Sequence, residues 1–191
     1  MRIIAGKHRG RTLHVPKAAD IRPTADRARQ AVFNILEHGI DWPGFDGVSV
    51  LDLFAGTGAY GIEALSRGAK WATFVDADAT ALGGIRRSAG SLGEGRNICL
   101  LKLDATRLVT PPGAAHAPAA LAFLDPPYGS GLATPALQGL ASRHWLAEAG
   151  IAVVEVAAQE PLSLPHHYEP IDERVYGAAR IMFARLTAGH Q

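Results

Sequence analysis

Four apolar runs, each with an aspartate at or near its end, constrain this chain more than any other feature. Asp52 falls near the end of the run Val48 to Phe54, Asp76 closes the run Trp71 to Val75, Asp104 the run Ile98 to Leu103, and Asp125 the run Ala120 to Leu124. Short apolar runs of this kind read as buried strands. Between them lie stretches with helical periodicity, Tyr60 to Ser66, stopped by Gly68, and Thr80 to Leu92. Thr134 to His144 predicts one more helix before a last buried run, Ile151 to Val156. Such alternation predicts a parallel sheet covered by helices. Two further strands, near Tyr168 to Val175 and Ala179 to Leu186, meet at Gly177 with no helix between them, which predicts an antiparallel hairpin at the end of the sheet. A lone aspartate at a strand end is commonly a helix N-cap, and Asp78 reads as one. Four at successive strand ends point instead to a shared rim, because sheets of this type bind ligands at the carboxyl ends of their strands.

Gly56-Thr57-Gly58-Ala59-Tyr60-Gly61 follows the first strand and fits G-x-G-x-x-G, a turn in which backbone approaches a ligand closely. A dinucleotide with its pyrophosphate on the helix N-terminus is one candidate. Asp52, four residues upstream of Gly56, opposes it: a carboxylate there repels pyrophosphate and attracts an ammonium group. Phe54 adds an aromatic on the approach to the loop. The set suits S-adenosylmethionine, which has a sulfonium, an amino-acid tail and no phosphate. Asp76, followed by Ala77, is placed to accept from ribose hydroxyls. Asp104 is placed to accept from the adenine amino group, with the Ala105 N–H facing a ring nitrogen.

Asp125-Pro126-Pro127-Tyr128 forms a rigid, half-polar corner at a strand end. Proline fixes φ and removes backbone donors, leaving carbonyls to face outward. An acceptor carboxylate, free carbonyls and a flat ring suit a planar base with an exocyclic amino group.

The chain has 191 residues, of which 48% are hydrophobic and 19% charged, enough for one domain with a substantial core. Its net charge of +1 hides an asymmetry: residues 1–30 carry eight basic and two acidic side chains, and the other 161 carry 11 basic and 16 acidic. A basic end on a mildly acidic body suggests a polyanionic partner touching one end. Residues 2–5 and 11–15 predict a short hairpin, and Arg22-Pro23-Thr24 a helix start with Thr24 as N-cap. The expected organisation is a basic arm over 1–22 and one globular domain over 23–191. No run is long enough to span a bilayer, and no signal peptide is visible, so a cytoplasmic chain is expected. Cys99 reads as a buried strand residue. No metal-ligand spacing is visible.

Together these blocks resemble the class I S-adenosylmethionine-dependent methyltransferases that act on exocyclic amines, and most closely the RsmD-type 16S rRNA guanine-N2 methyltransferases. The selective blocks are Arg2-Ile3-Ile4-Ala5-Gly6, Arg9-Gly10-Arg11, Arg22-Pro23-Thr24-Ala25-Asp26-Arg27 and Phe33-Asn34, with Asp52-Leu53-Phe54-Ala55-Gly56-Thr57-Gly58 and Asp125-Pro126-Pro127-Tyr128. The resemblance implies a Rossmann-like α/β fold: a seven-stranded, mostly parallel sheet with an antiparallel last strand, and a small N-terminal β-hairpin. It implies a monomer acting on 16S rRNA in the small ribosomal subunit or its assembly intermediate, at guanine 966 in the family's usual target. In the cofactor site it implies Asp52, Phe54, Gly56, Gly58, Asp76, Ala77, Asp104 and Ala105. Asp125, Pro126 and Tyr128 are implied at the reacting amine, and Arg2, Lys7, Arg9, Arg11, Arg22 and Arg27 on the RNA. Gln30 departs from the family pattern, which has a glutamate there.

Three rival readings remain open at this stage. An adenine-N6 or other amine methyltransferase shares the Asp-Pro-Pro-Tyr corner but is expected to carry a separate target-recognition domain. A nicotinamide dehydrogenase shares the glycine turn but not the acids. An RNA-binding ribosome assembly factor keeps the fold without the chemistry.

Overall fold

The computed structural model describes residues 1–14 and 23–187. Its strands are β1 (Ser49–Leu53), β2 (Trp71–Asp76), β3 (Ile98–Lys102), β4 (Ala119–Leu124), β5 (Leu146–Ala157), β6 (Tyr168–Tyr176) and β7 (Ala179–Leu186). Its α-helices are α1 (Pro23–His38), α2 (Ala59–Ser66), α3 (Ala79–Ser91) and α4 (Ala133–Ser142). The strands form one seven-stranded sheet, as expected, and its order is β3-β2-β1-β4-β5-β7-β6. Pairing is parallel from β3 to β5, and β7 runs antiparallel to both β5 and β6. The hairpin therefore folds back, inserting β7 between β5 and β6, so the last strand in sequence is not the edge of the sheet.

Period-two alternation sorts the strand residues onto two faces. Val50, Phe74, Phe123 and Val153 pack with α1, α2 and α3. Leu51, Leu53, Val75 and Leu124 pack with α4 and the buried Trp145. α1 begins at Pro23, so Thr24 lies in its first turn rather than at the cap. Ala28, Val32 and Leu36 are buried as the periodicity requires, and Phe33 joins them. Gln30, the departure from the family pattern, is exposed. β5 starts earlier than expected, at Leu146. Its ladder with β4 breaks register between the Ala119 and Leu121 pairings, and Ala149 at φ 61 takes up the extra length. A polar, glycine-containing stretch was absorbed into the strand as a bulge. Cys99 is half-buried on β3, at the edge of the sheet.

The N-terminal segment is not a loose arm. Its hairpin is reduced to one bridge, Arg2 to Thr12, but Ile3 and Leu13 are buried in the main core. The Ile4 and Ala5 N–H groups donate to the two carboxylate oxygens of Glu63 on α2, at 2.7 and 2.9 Å. Gly6 lies so close to α2 that a Cβ there would stand 1.9 Å from the Ser66 carbonyl oxygen, and its φ of +80 also favours glycine. Arg29, 3% exposed on α1, donates to the Arg2 carbonyl at 2.7 Å. Residues 1–14 thus pack against the body of the sheet and α2.

Candidate active site

Strand register explains how the acidic rim is built. Leu53 of β1 pairs with Val75 of β2 and Leu124 of β4, so Asp76 and Asp125 stand one residue beyond that level. Leu124 pairs with Val154 of β5, which brings a fifth acid, Glu155, level with Asp125. Asp76 pairs with Lys102, so Asp104 projects two residues further. Asp52 pairs with Phe74 and Phe123, one pleat deeper.

A cavity of about 1150 Å³ opens over this rim. Phe54, Gly56, Asp76, Ala77, Asp104 and Ala105 line one part of it, and Asp125, Pro126, Pro127, Tyr128, Leu132 and Glu155 the other. Nine of the eleven residues expected at the cofactor and the reacting amine therefore share one space. Asp52 and Gly58 do not line it. Asp52 is 2% exposed and its Oδ2 accepts the Gly61 N–H at 2.8 Å, so it braces the glycine turn from beneath. Gly58, at φ 73, opens α2, and a Cβ there would stand 2.8 Å from Ile85 Cγ1. Its smallness serves helix-to-helix packing.

Hydrogen bonds fix the remaining acids. The two oxygens of Asp76 accept the N–H groups of Gly56 and Asp78, each at 2.8 Å. Asp78 caps α3 through the Thr80 N–H, as its position suggested. Asp104 Oδ1 accepts from the Thr106 N–H and hydroxyl, bonds that hold its carboxyl below the usual carboxylate range. Glu160 accepts from the Gly129, Gly131 and Ala157 N–H groups, tying the loop after Tyr128 to the end of β5.

Burial raises Asp52 to about 7, against the Gly61 hydrogen bond, with Asp76 adding to the rise and Arg29 opposing it. Asp125 opens onto the cleft while protein crowds its other sides. Loss of solvent raises it well above the ordinary range, and the charges of Glu155 and Asp52 raise it further. Glu155 is 9% exposed, and its two oxygens accept the hydroxyls of Tyr60 at 3.0 Å and Tyr128 at 2.8 Å. Sequence reading missed Glu155 and Tyr60. The signal for Glu155 was present: a single acid near the end of an apolar run, as in the other four. It was hidden because Val156 and Ala157 continue the strand past it.

Among the described residues no lysine or arginine lines the cavity. A pyrophosphate would meet carboxylates without a counter-charge, whereas a cation with hydroxyl and amino donors meets acceptors. Val75, Leu103 and Phe54 supply apolar wall for a flat ring. S-adenosylmethionine fits this donor set, with Asp76 and Asp104 as the residues that would hold it.

The basic residues divide. Arg2, Arg9 and Arg27 are exposed. Lys7 is paired with the buried Glu94 at 2.7 Å and Arg11 donates to the Ser91 carbonyl at 3.0 Å, so both also anchor the hairpin to the body. Arg22 lies outside the described residues. Met1 Sδ accepts from the Thr57 hydroxyl at 3.2 Å, which sets the start of the chain beside the glycine turn.

Fold and cavity define a Rossmann-like methyltransferase. Residues 1–185 match the model of the family described as Conserved hypothetical protein 95. The chain is 34% identical over 178 residues to the Ribosomal RNA small subunit methyltransferase D of Escherichia coli K12, across 93% of this chain and 85% of that one. The solved structure of the putative methyltransferase yhhF from Escherichia coli superposes with a TM-score of 0.84 at 31% identity, covering 99% of both chains. The magnesium protoporphyrin IX methyltransferase of Synechocystis, solved with bound SAM, shares the fold at 17% identity and a TM-score of 0.65, over 88% of this chain and 82% of that one. The chain belongs to the Conserved hypothetical protein 95 family, the RsmD family, whose members take their methyl group from S-adenosylmethionine.

Proposed function

We propose that this chain methylates the exocyclic N2 of a guanine in 16S rRNA, presented in the small ribosomal subunit or its assembly intermediate, with guanine 966 as the family's target. The observation that carries the reading is that Asp125 stands level with Asp76 in one cavity, so a cofactor side and an amine side adjoin.

S-adenosylmethionine supplies an activated methyl group on a sulfonium. Asp76 accepts from ribose hydroxyls and Asp104 from an adenine amino group. The chemical difficulty lies with the nucleophile, whose lone pair is shared with the purine ring. The Asp125 carboxylate and the Pro126 carbonyl accept hydrogen bonds from the amine, draw its lone pair out of conjugation and aim it. The raised proton affinity of Asp125 suits it to take up the proton the amine releases, before water carries it off. Tyr128 offers its ring to the flipped base while Glu155 holds its hydroxyl. The exposed Arg2, Arg9 and Arg27 contact phosphates and set register without reading sequence.

The test is transfer of labelled methyl groups to 16S rRNA, naked and in small subunits, followed by nucleoside analysis. Label in N2-methylguanosine is expected. Label in adenosine alone, or none in either substrate, contradicts the reading.

A further inference from the structure

Glu155 is an unexplained group in this site. It carries a negative charge beside a second carboxylate, and neutral tyrosine hydroxyls are its hydrogen-bond donors. Each carboxylate oxygen has two lone pairs, so one tyrosine on each leaves a second acceptor position on both. The two tyrosines hold the group in one orientation. Tyr60 is itself wedged, its ring stacked on Phe123 at 4.9 Å between centroids and on Phe33 at 6.2 Å. Register places Glu155 level with Asp125, on the side away from Asp76 and Asp104. It therefore faces whatever lies beyond the reacting amine.

Every base with an exocyclic amine offers N–H donors there, so Asp125 alone does not discriminate among them. The neighbouring ring position does. Guanine carries an N1–H donor beside its N2 amine, whereas adenine and cytosine carry a bare lone pair beside theirs. Two fixed acceptors side by side complement guanine and oppose the other two. Burying an acceptor against a lone pair leaves both unpaired, the arrangement that gives polar sites their strongest discrimination.

We propose that Glu155 is the base-selecting residue of this site, accepting the N1–H of the target guanine while Asp125 accepts from its N2 amine. The inference rests on the reading of the chain as a guanine-N2 methyltransferase and adds the group that makes it so.

The experiment compares the full chain and its Glu155→Gln variant on two RNAs, one with guanine and one with 2-aminopurine at the methylated position. 2-Aminopurine keeps the amine but has a lone pair at N1. In the parent chain kcat/KM should favour guanine. In E155Q, whose amide can donate to a bare N1, the guanine-to-2-aminopurine ratio should fall by about tenfold or more. Cofactor affinity should be unchanged by calorimetry. A merely structural Glu155 would depress both substrates together, so an unchanged ratio overturns the assignment. If E155Q does not fold, the parent chain still decides: equal transfer to both RNAs overturns the role. Failure of the parent chain to methylate any guanine is a separate result, and it sinks the reading beneath.

Discussion

The Gly56 N–H donates to Asp76 Oδ2 across 2.8 Å, so the glycine turn after β1 is tied to the carboxylate that ends β2. The turn and the acid are thus one unit. On the proposed reading, a substitution at Asp76 removes a cofactor acceptor and releases the turn at once. Asp76→Ala should weaken S-adenosylmethionine binding by about tenfold to a hundredfold, the cost of a hydrogen bond to a charged group. Titration calorimetry measures it, and parent-like affinity contradicts the placement.

Asp125→Ala should separate binding from chemistry. Transfer should fall by about a hundredfold or more, with cofactor affinity nearly unchanged because Asp76 and Asp104 remain. In the proposed mechanism the ionised carboxylate is the acceptor. Activity should therefore decline as pH falls, with its midpoint above the ordinary carboxylate range, since burial and the Glu155 charge both disfavour ionisation. Single-turnover rates across pH test the direction.

Asp52 links pH to stability. Its pKa rises from the ordinary 3.8 to about 7 in the fold. Between those values the folded chain holds the proton more tightly than the unfolded one, so stability falls as pH rises through them. The stabilisation is fully present below the lower value and amounts to at most about 4 kcal/mol. Asp52→Asn keeps an acceptor for Gly61 and cannot ionise, so its stability should vary less over this window. Urea midpoints measured at several pH values decide, and parallel curves for the two proteins would count against the buried carboxyl.

Gly61→Ala should destabilise the chain by about 1–3 kcal/mol through overpacking. A Cβ at this position would sit 2.4 Å from Phe74 Cε1 and 3.2 Å from Asp52 Oδ2. Thermal melts should show the loss, and a parent-like midpoint would mean that Phe74 yields freely.

Replacing Arg9 and Arg11 by glutamine should weaken RNA binding and shallow its dependence on salt, by about one for each phosphate no longer neutralised. Arg9 should dominate, because Arg11 is bound to the Ser91 carbonyl. Binding measured at several salt concentrations tests it, and an unaltered slope removes the hairpin from the interface.

Local pattern carried much of this protein. The apolar runs before Asp76, Asp104 and Asp125 and the helices between them were legible because burial imposes periodicity on residues a few positions apart. The joining of β6 and β7 at a glycine was legible for the same reason. Insertion of β7 beside β5 was not, because a hairpin reads alike in either order. Nor was the docking of residues 1–14: Ile3 and Leu13 lie in apolar stretches too short to show a period, and the acceptor for the neighbouring backbone, Glu63, lies far along the chain.

Residue types and their places at strand ends were written in the linear chain, since those follow from neighbours. Depth and partnership were decided only when strands came into register. That step sank Asp52 a pleat below the rim, raised Glu155 to the level of Asp125 and clasped it between Tyr60 and Tyr128. Contacts between distant residues arise from how strands slide against one another, and sliding by a single position leaves each strand's own alternation intact.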